Sequence, residues 1–176
     1  MADNRIKINR APVLTLWATV VAERLGYDRE TALTLGKAVA GLNAQSKGRR
    51  LGIYEAKSDE EKARERKAEG DRETEFIDLL GRGIPAVRTP QGLRAAVSGE
   101  VIRPESVEKY LRQKFGENLD AVREAMAALA EAHTPAELAG RAYDLYEEFR
   151  PSIPEGKRGW GALGELDLDQ VRSLAK

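Results

Sequence analysis

The stretch VVAERLGYDRETALTLGKAV, residues 20–39, carries an apolar helix through a glycine turn into a second helix, and the fold is read outward from it. Upstream, Val13, Leu16, Trp17, Val20, Val21, Arg24 and Leu25 recur at spacings of three and four, the period of a helix with one buried stripe. That helix starts near Ala11-Pro12, because proline fits the first helical turn, where its missing N–H costs nothing. Gly26 ends it, as a residue free to take positive φ. Asp28 supplies the N-cap of a second helix running to about Gln45, with Ala32, Leu35, Val39 and Leu42 on its buried side. Gly36 and Gly41 lie inside that helix, and glycines so placed point to close contact between helices.

Beyond it, SKGRRLGIY (46–54) reads as a small basic loop, and KSDEEKARERKAEGDRETE (57–75) is nearly all charge. Such a segment cannot face a core, so it is either a solvated helix or a flexible connector. It divides the chain into a helical N-terminal lobe, 1–56, and a C-terminal lobe, 76–176. The second lobe opens with the short apolar pieces FIDLLGRGIPAV, LRAAV and EVIRP, parted by TPQG (89–92) and SG (98–99), which predicts one or two small hairpins. Leu79-Leu80 fits the end of a preceding helix equally well. Pro104 then opens the helix PESVEKYLRQKF, closed by Gly116. Asn118 is placed to cap LDAVREAMAALAEA. Thr134 and Glu137 have capping-box spacing ahead of a helix stopped by Pro151. LDLDQVRSLA (166–175) predicts a short terminal helix. The expected fold is mainly α: six or seven helices with a small β-hairpin element in the middle.

Bases and acids each number 29, so the formal net charge is zero and the simplest signature of a nucleic-acid partner is missing. The distribution is uneven, however. Residues 1–57 carry ten bases against five acids, and 82–116 carry seven against three, whereas 117–149 hold eight acids against two bases. Phosphate binding therefore stays open to the basic regions. Cysteine is absent, which excludes a disulfide framework and a thiolate zinc site and fits a cytoplasmic location. MADNRIKINR has no apolar stretch behind its charges, so no secretory signal is expected. No apolar run approaches the ~20 residues of a membrane helix.

A helix-turn-helix pair needs a small residue midway along its first helix, a glycine at the turn, and apolar residues that lock the two helices. Ala22 lies four residues before Gly26 and Ala32 six after it, with Val21, Leu25, Tyr27 and Leu35 at the locking positions. Residues 18–39 thus resemble the motif of helix-turn-helix regulators, over about twenty residues only. The resemblance implies duplex DNA as partner and turns Arg29, Glu30, Thr34 and Lys37 toward the groove, with Arg29, Thr34 and Lys37 as the contacts. Leu33 falls on the same side and the helix continues as apolar GKAVAGL, both departures from a polar recognition helix. The basic run adds a second element. Lys47, Arg49 and Arg50, with Gly48 between them, combine positive charge with a backbone able to approach phosphates.

GWGALG (159–164) has G-x-G-x-x-G spacing, but no strand before it and no helix directly after it is evident, so no nucleotide cofactor is expected. Trp160 reads instead as an anchor for the C-terminal segment. His133, the only histidine, sits at a helix end just before Thr134-Pro135 and suits a surface or capping role. No metal site and no catalytic residue is assigned, since no Walker loop, nucleophile elbow, zincin motif or calcium loop occurs. The expected function is DNA binding of a regulatory or nucleoid kind. The alternative is a structural or protein–protein interaction protein, homo-oligomeric through Val13, Trp17, Val20 and Leu35.

Overall fold

The computed structural model describes residues 5–50, 74–97, 100–153 and 164–175, with backbone alone for 43–50. The charged segment 57–73, Ser98-Gly99 and the run 154–163 with Trp160 lie outside the described residues. Helix α1 (Arg10–Arg24) is buried on every side: each residue from Pro12 to Ala22 is hidden from solvent. A helix apolar all round must be central, and this one is enclosed by neighbours rather than by one facing helix. Its two threonines create no unmet polar need. The Thr15 hydroxyl donates to the Ala11 carbonyl at 2.9 Å and the Thr19 hydroxyl to the Thr15 carbonyl at 2.8 Å, the usual way a helix absorbs such groups.

Gly26 makes the turn with φ of 111°. Asp28 caps the next helix, α2 (Arg29–Arg50), accepting from the Thr31 amide at 3.2 Å and the Thr31 hydroxyl at 2.8 Å. The backbone stays helical through residues 46–50, so the basic run is the last turn of α2 and not a loop. Val13, Trp17, Val20 and Leu35, the residues offered above as an oligomer interface, are all buried within the chain's own core.

The fold is α+β, which corrects the mainly α expectation. Strands β2 (Thr74–Leu79), β3 (Arg82–Thr89), β4 (Gly92–Val97) and β5 (Glu100–Val101) form an antiparallel sheet in chain order. Its first hairpin turns at Leu80-Gly81, with φ of 51° and 76°. A two-residue turn of this hand needs positive φ at both centres, and leucine there gives no warning in the sequence. TPQG makes the second turn, pairing Thr89 with Gly92. A separate two-stranded sheet joins β1 (Arg5–Ile8) to β6 (Gly164–Asp167), with Ile6 opposite Leu166. Each of these strands is four residues long, too short to carry a period, and its partner lies at the other end of the chain.

The C-terminal helices follow the punctuation closely: α3 (Pro104–Phe115), α4 (Leu119–Glu131), α5 (Pro135–Phe149) and α6 (Leu168–Leu174). Thr134 and Glu137 form the reciprocal capping box, at 3.2 and 3.0 Å. The inner face of the four-stranded sheet contributes Ile77, Ile84, Ala86 and Ala95 to the same apolar core as α1. Trp17 ties α1 to α5, where its indole N–H donates to the Ala142 carbonyl at 2.8 Å and its ring meets Phe149 edge-on at 5.3 Å. Among the described residues no helix is long and apolar enough to cross a membrane.

Candidate functional site

Helix α2 lies against β4 on one side and α3 on the other, and these two contacts decide where its polar residues go. Strand β5 has only two residues, so it leaves part of β4's edge unpaired. Two threonines of α2 complete that edge. The Thr34 hydroxyl accepts from the Ala95 amide at 3.0 Å and donates to the Thr31 carbonyl at 2.8 Å. The Thr31 hydroxyl, whose single proton is shared with Asp28, also lies 2.8 Å from the Leu93 carbonyl. Thr34 is fully buried, and Leu33 beside it is buried as well. The side of α2 that the helix-turn-helix resemblance turns toward a groove is thus in part a sheet contact, and Thr34 faces inward.

This arrangement has a measurable consequence. Thr34→Val removes both hydroxyl bonds and strands the buried Ala95 amide, so it is expected to cost about 1–3 kcal/mol. Urea unfolding monitored by circular dichroism reads that loss directly. An exposed, groove-facing threonine would give a change within about 0.5 kcal/mol.

Glu30 and Arg29 are likewise engaged inside the molecule. Glu30 pairs at 2.7 Å with Arg94, whose side chain is only 6% exposed, and Arg94 Nη2 also donates to the Gln91 carbonyl. Arg29, half-exposed, donates to Glu108 of α3 at 3.0 Å, and Arg112 reaches the same carboxylate at 3.2 Å. The Arg112 hydrogen bond, aided by the charge of Arg29, holds the Glu108 carboxyl below the usual range.

Lys37 is placed differently. Its ammonium sits 3.8 Å from the centre of the Tyr110 ring, and Lys114 Nζ lies 6.0 Å from the same ring. A cation over an aromatic face is held by the ring quadrupole, by about 0.5–2 kcal/mol depending on desolvation. Burial, and after it the charge of Lys114, push the Lys37 ammonium below the ordinary lysine range. Burial also pushes the Tyr110 hydroxyl up. Among the described residues no carboxylate pairs with Lys37.

Next to Lys37 a cavity of ≈ 440 Å³ opens between α2, the β4–β5 end of the sheet and the start of α3. Val97, Val101, Ile102 and Val107 make it apolar, while Arg103 and Ser106 bring polar groups to it. Sequence reading missed Arg103, Ser106, Tyr110 and Lys114 as site residues. The only signal for them was the basic excess of residues 82–116, which says nothing about contact with α2. Lys47, Arg49 and Arg50 share α2 with Lys37, but their side chains lie outside the described residues. A rise of 1.5 Å per residue puts Lys47 about 15 Å along the axis from Lys37. No protein-family model matches this chain, and neither does any curated protein or solved structure.

Proposed function

We propose that the chain is a cytoplasmic nucleic-acid-binding protein, with duplex DNA the first candidate, and that it grips the phosphate backbone without reading bases. The observation that carries this reading is the convergence of Lys37 and Lys114 on Tyr110, where α2 and α3 meet. From there α2 leads to Lys47, Arg49 and Arg50 in its last turn. Phosphate contacts require positive charge along an edge and no particular side-chain shape, and they supply most of non-specific affinity. Base reading by Thr34 has no support, because its hydroxyl is spent on β4.

Fluorescence anisotropy with a random 20-base-pair duplex across a salt series tests this. Replacing Lys47, Arg49 and Arg50 together with alanine is expected to weaken binding to all sequences alike. It should flatten the log–log salt dependence by up to about 0.9 for each phosphate that the variant no longer neutralises. Arg29→Ala should change little, since Glu108 already holds that charge. A folded parent protein with no salt-sensitive binding would sink the proposal.

One observation favours a protein-interaction role instead. Phe76 is 65% exposed on β2, opposite Pro85 of β3. An apolar ring left in water on a sheet is a common mark of a contact surface. Copies that associate would then do so through the sheet, since the apolar residues of α1 already lie in the chain's own core.

A further inference from the structure

We propose that the cavity between α2, the β4–β5 end of the sheet and α3 binds a small amphipathic anion, an apolar body ending in a carboxylate or phosphate, with Lys37 and Arg103 on the head group. The inference shares Lys37 with the nucleic-acid reading but rests on its own observations, the apolar lining of the cavity and the presence of Arg103. Its first support is size and lining. The cavity's ≈ 440 Å³ falls within the range of small-molecule sites, and Ala38, Val97, Val101, Ile102 and Val107 give it an apolar wall. Gly41 contributes to the space by having no side chain, since a Cβ built there meets nothing within 4 Å.

The second support is charge. Lys37 is half-buried, and among the described residues the neighbouring charge that acts on it is the like charge of Lys114. The Tyr110 face offsets only part of the cost of removing this cation from water, and an anion entering beside it offsets more. Arg103 stands at the same cavity, paired among the described residues with Glu105 at 3.8 Å in an exposed and therefore weak pair. A planar guanidinium and a point-charge ammonium together suit the two-oxygen end of a carboxylate or the three oxygens of a phosphate. Glu100, the only acid in the lining among the described residues, is exposed. The five apolar side chains have no use for a bare inorganic ion, which is why the ligand must carry an apolar body as well.

The test uses the full chain with octanoate and octyl phosphate as probes, and with acetate and octanol as the head-only and tail-only controls. Isothermal calorimetry gives the affinities, and amide chemical shifts locate the site. Both charged amphiphiles are expected to saturate, with shifts centred on Gly41, Val101 and Ser106, and both controls are expected to bind at least about tenfold more weakly. Lys37→Met keeps an unbranched side chain one atom shorter and removes the charge; it should weaken octanoate by about tenfold or more. A Cβ at Gly41 meets nothing within 4 Å and the residue lines the cavity, so Gly41→Leu is expected to occupy the ligand's space and abolish octanoate binding while leaving the melting temperature unchanged or higher. The proposal is overturned if octanol binds as well as octanoate, if neither charged probe saturates, or if both variants bind octanoate like the parent. The octanoate titration and the Gly41 variant do not depend on DNA, so failure of DNA binding and failure of this proposal are told apart although both involve Lys37.

Discussion

Gly36→Ala is expected to destabilise the protein by about 3 kcal/mol, although alanine is the better helix former by about 1 kcal/mol. A Cβ built at Gly36 comes within 2.5 Å of the Thr15 carbonyl oxygen and 3.0 Å of the Thr19 amide nitrogen, and it also collides with the Thr19 hydroxyl oxygen. Two of those three atoms are backbone of α1, which cannot swing aside as a side-chain tip can. Since α1 is packed on every side, moving it away from α2 disturbs the whole core. The melting temperature should fall by about 6–12 °C, on the scale for chains of this size. Gly41→Ala in the same helix is the control. With nothing within 4 Å of its added carbon, it should gain up to about 1 kcal/mol from helix propensity. Equal effects at the two glycines, by calorimetry, would show that α1 and α2 do not cross as described.

Trp17→Ala is the second large effect. Trp17 is fully buried, bonds through its indole N–H to the Ala142 carbonyl, and packs edge-on against Phe149. Truncation removes that area and leaves a cavity between α1 and α5, for about 3–5 kcal/mol. It also leaves a carbonyl without its donor. Trp17→Phe separates the two contributions, because it restores most of the ring and none of the hydrogen bond; a deficit of about 1–3 kcal/mol is expected to remain. Denaturant midpoints of the two variants check this, and a Phe variant as stable as the parent would show that the Ala142 bond contributes nothing.

The helices were legible where the chain carries its own punctuation. Thr134 and Glu137 are three residues apart and satisfy each other; Pro104 and Gly26 need only their own backbone preferences. Such features act within one turn of chain, so the sequence displays them directly. The sheet was less so. TPQG announced one turn, but Leu80 adopts positive φ because the strands on either side pair, not because leucine prefers it. Strands β1 and β6 carry no local signal at all. The helix-turn-helix pattern was present in the residues, yet Ala22, Gly26 and Leu35 answer a requirement that any closely crossed helix pair shares. What covers Thr34 is β4, some sixty residues downstream, and what Lys37 meets is Tyr110, farther still. A cavity assembled from α2, the sheet and α3 depends wholly on such distant encounters, which is why it was invisible in the sequence.

The pairing of β1 with β6 bears on how the chain is made. During synthesis, residues 5–8 leave the ribosome well before Gly164–Asp167 and have no strand to join until those residues emerge. Helix α1 follows β1 out and meets its most extensive neighbour, α2, directly, but α4 and α5, which cover its other faces, emerge much later. Contacts between elements so far apart in the chain form late, and the faces of α1 that α2 leaves open wait for them. The apolar surface so left open in the nascent chain stays exposed for as long as translation takes to reach α5.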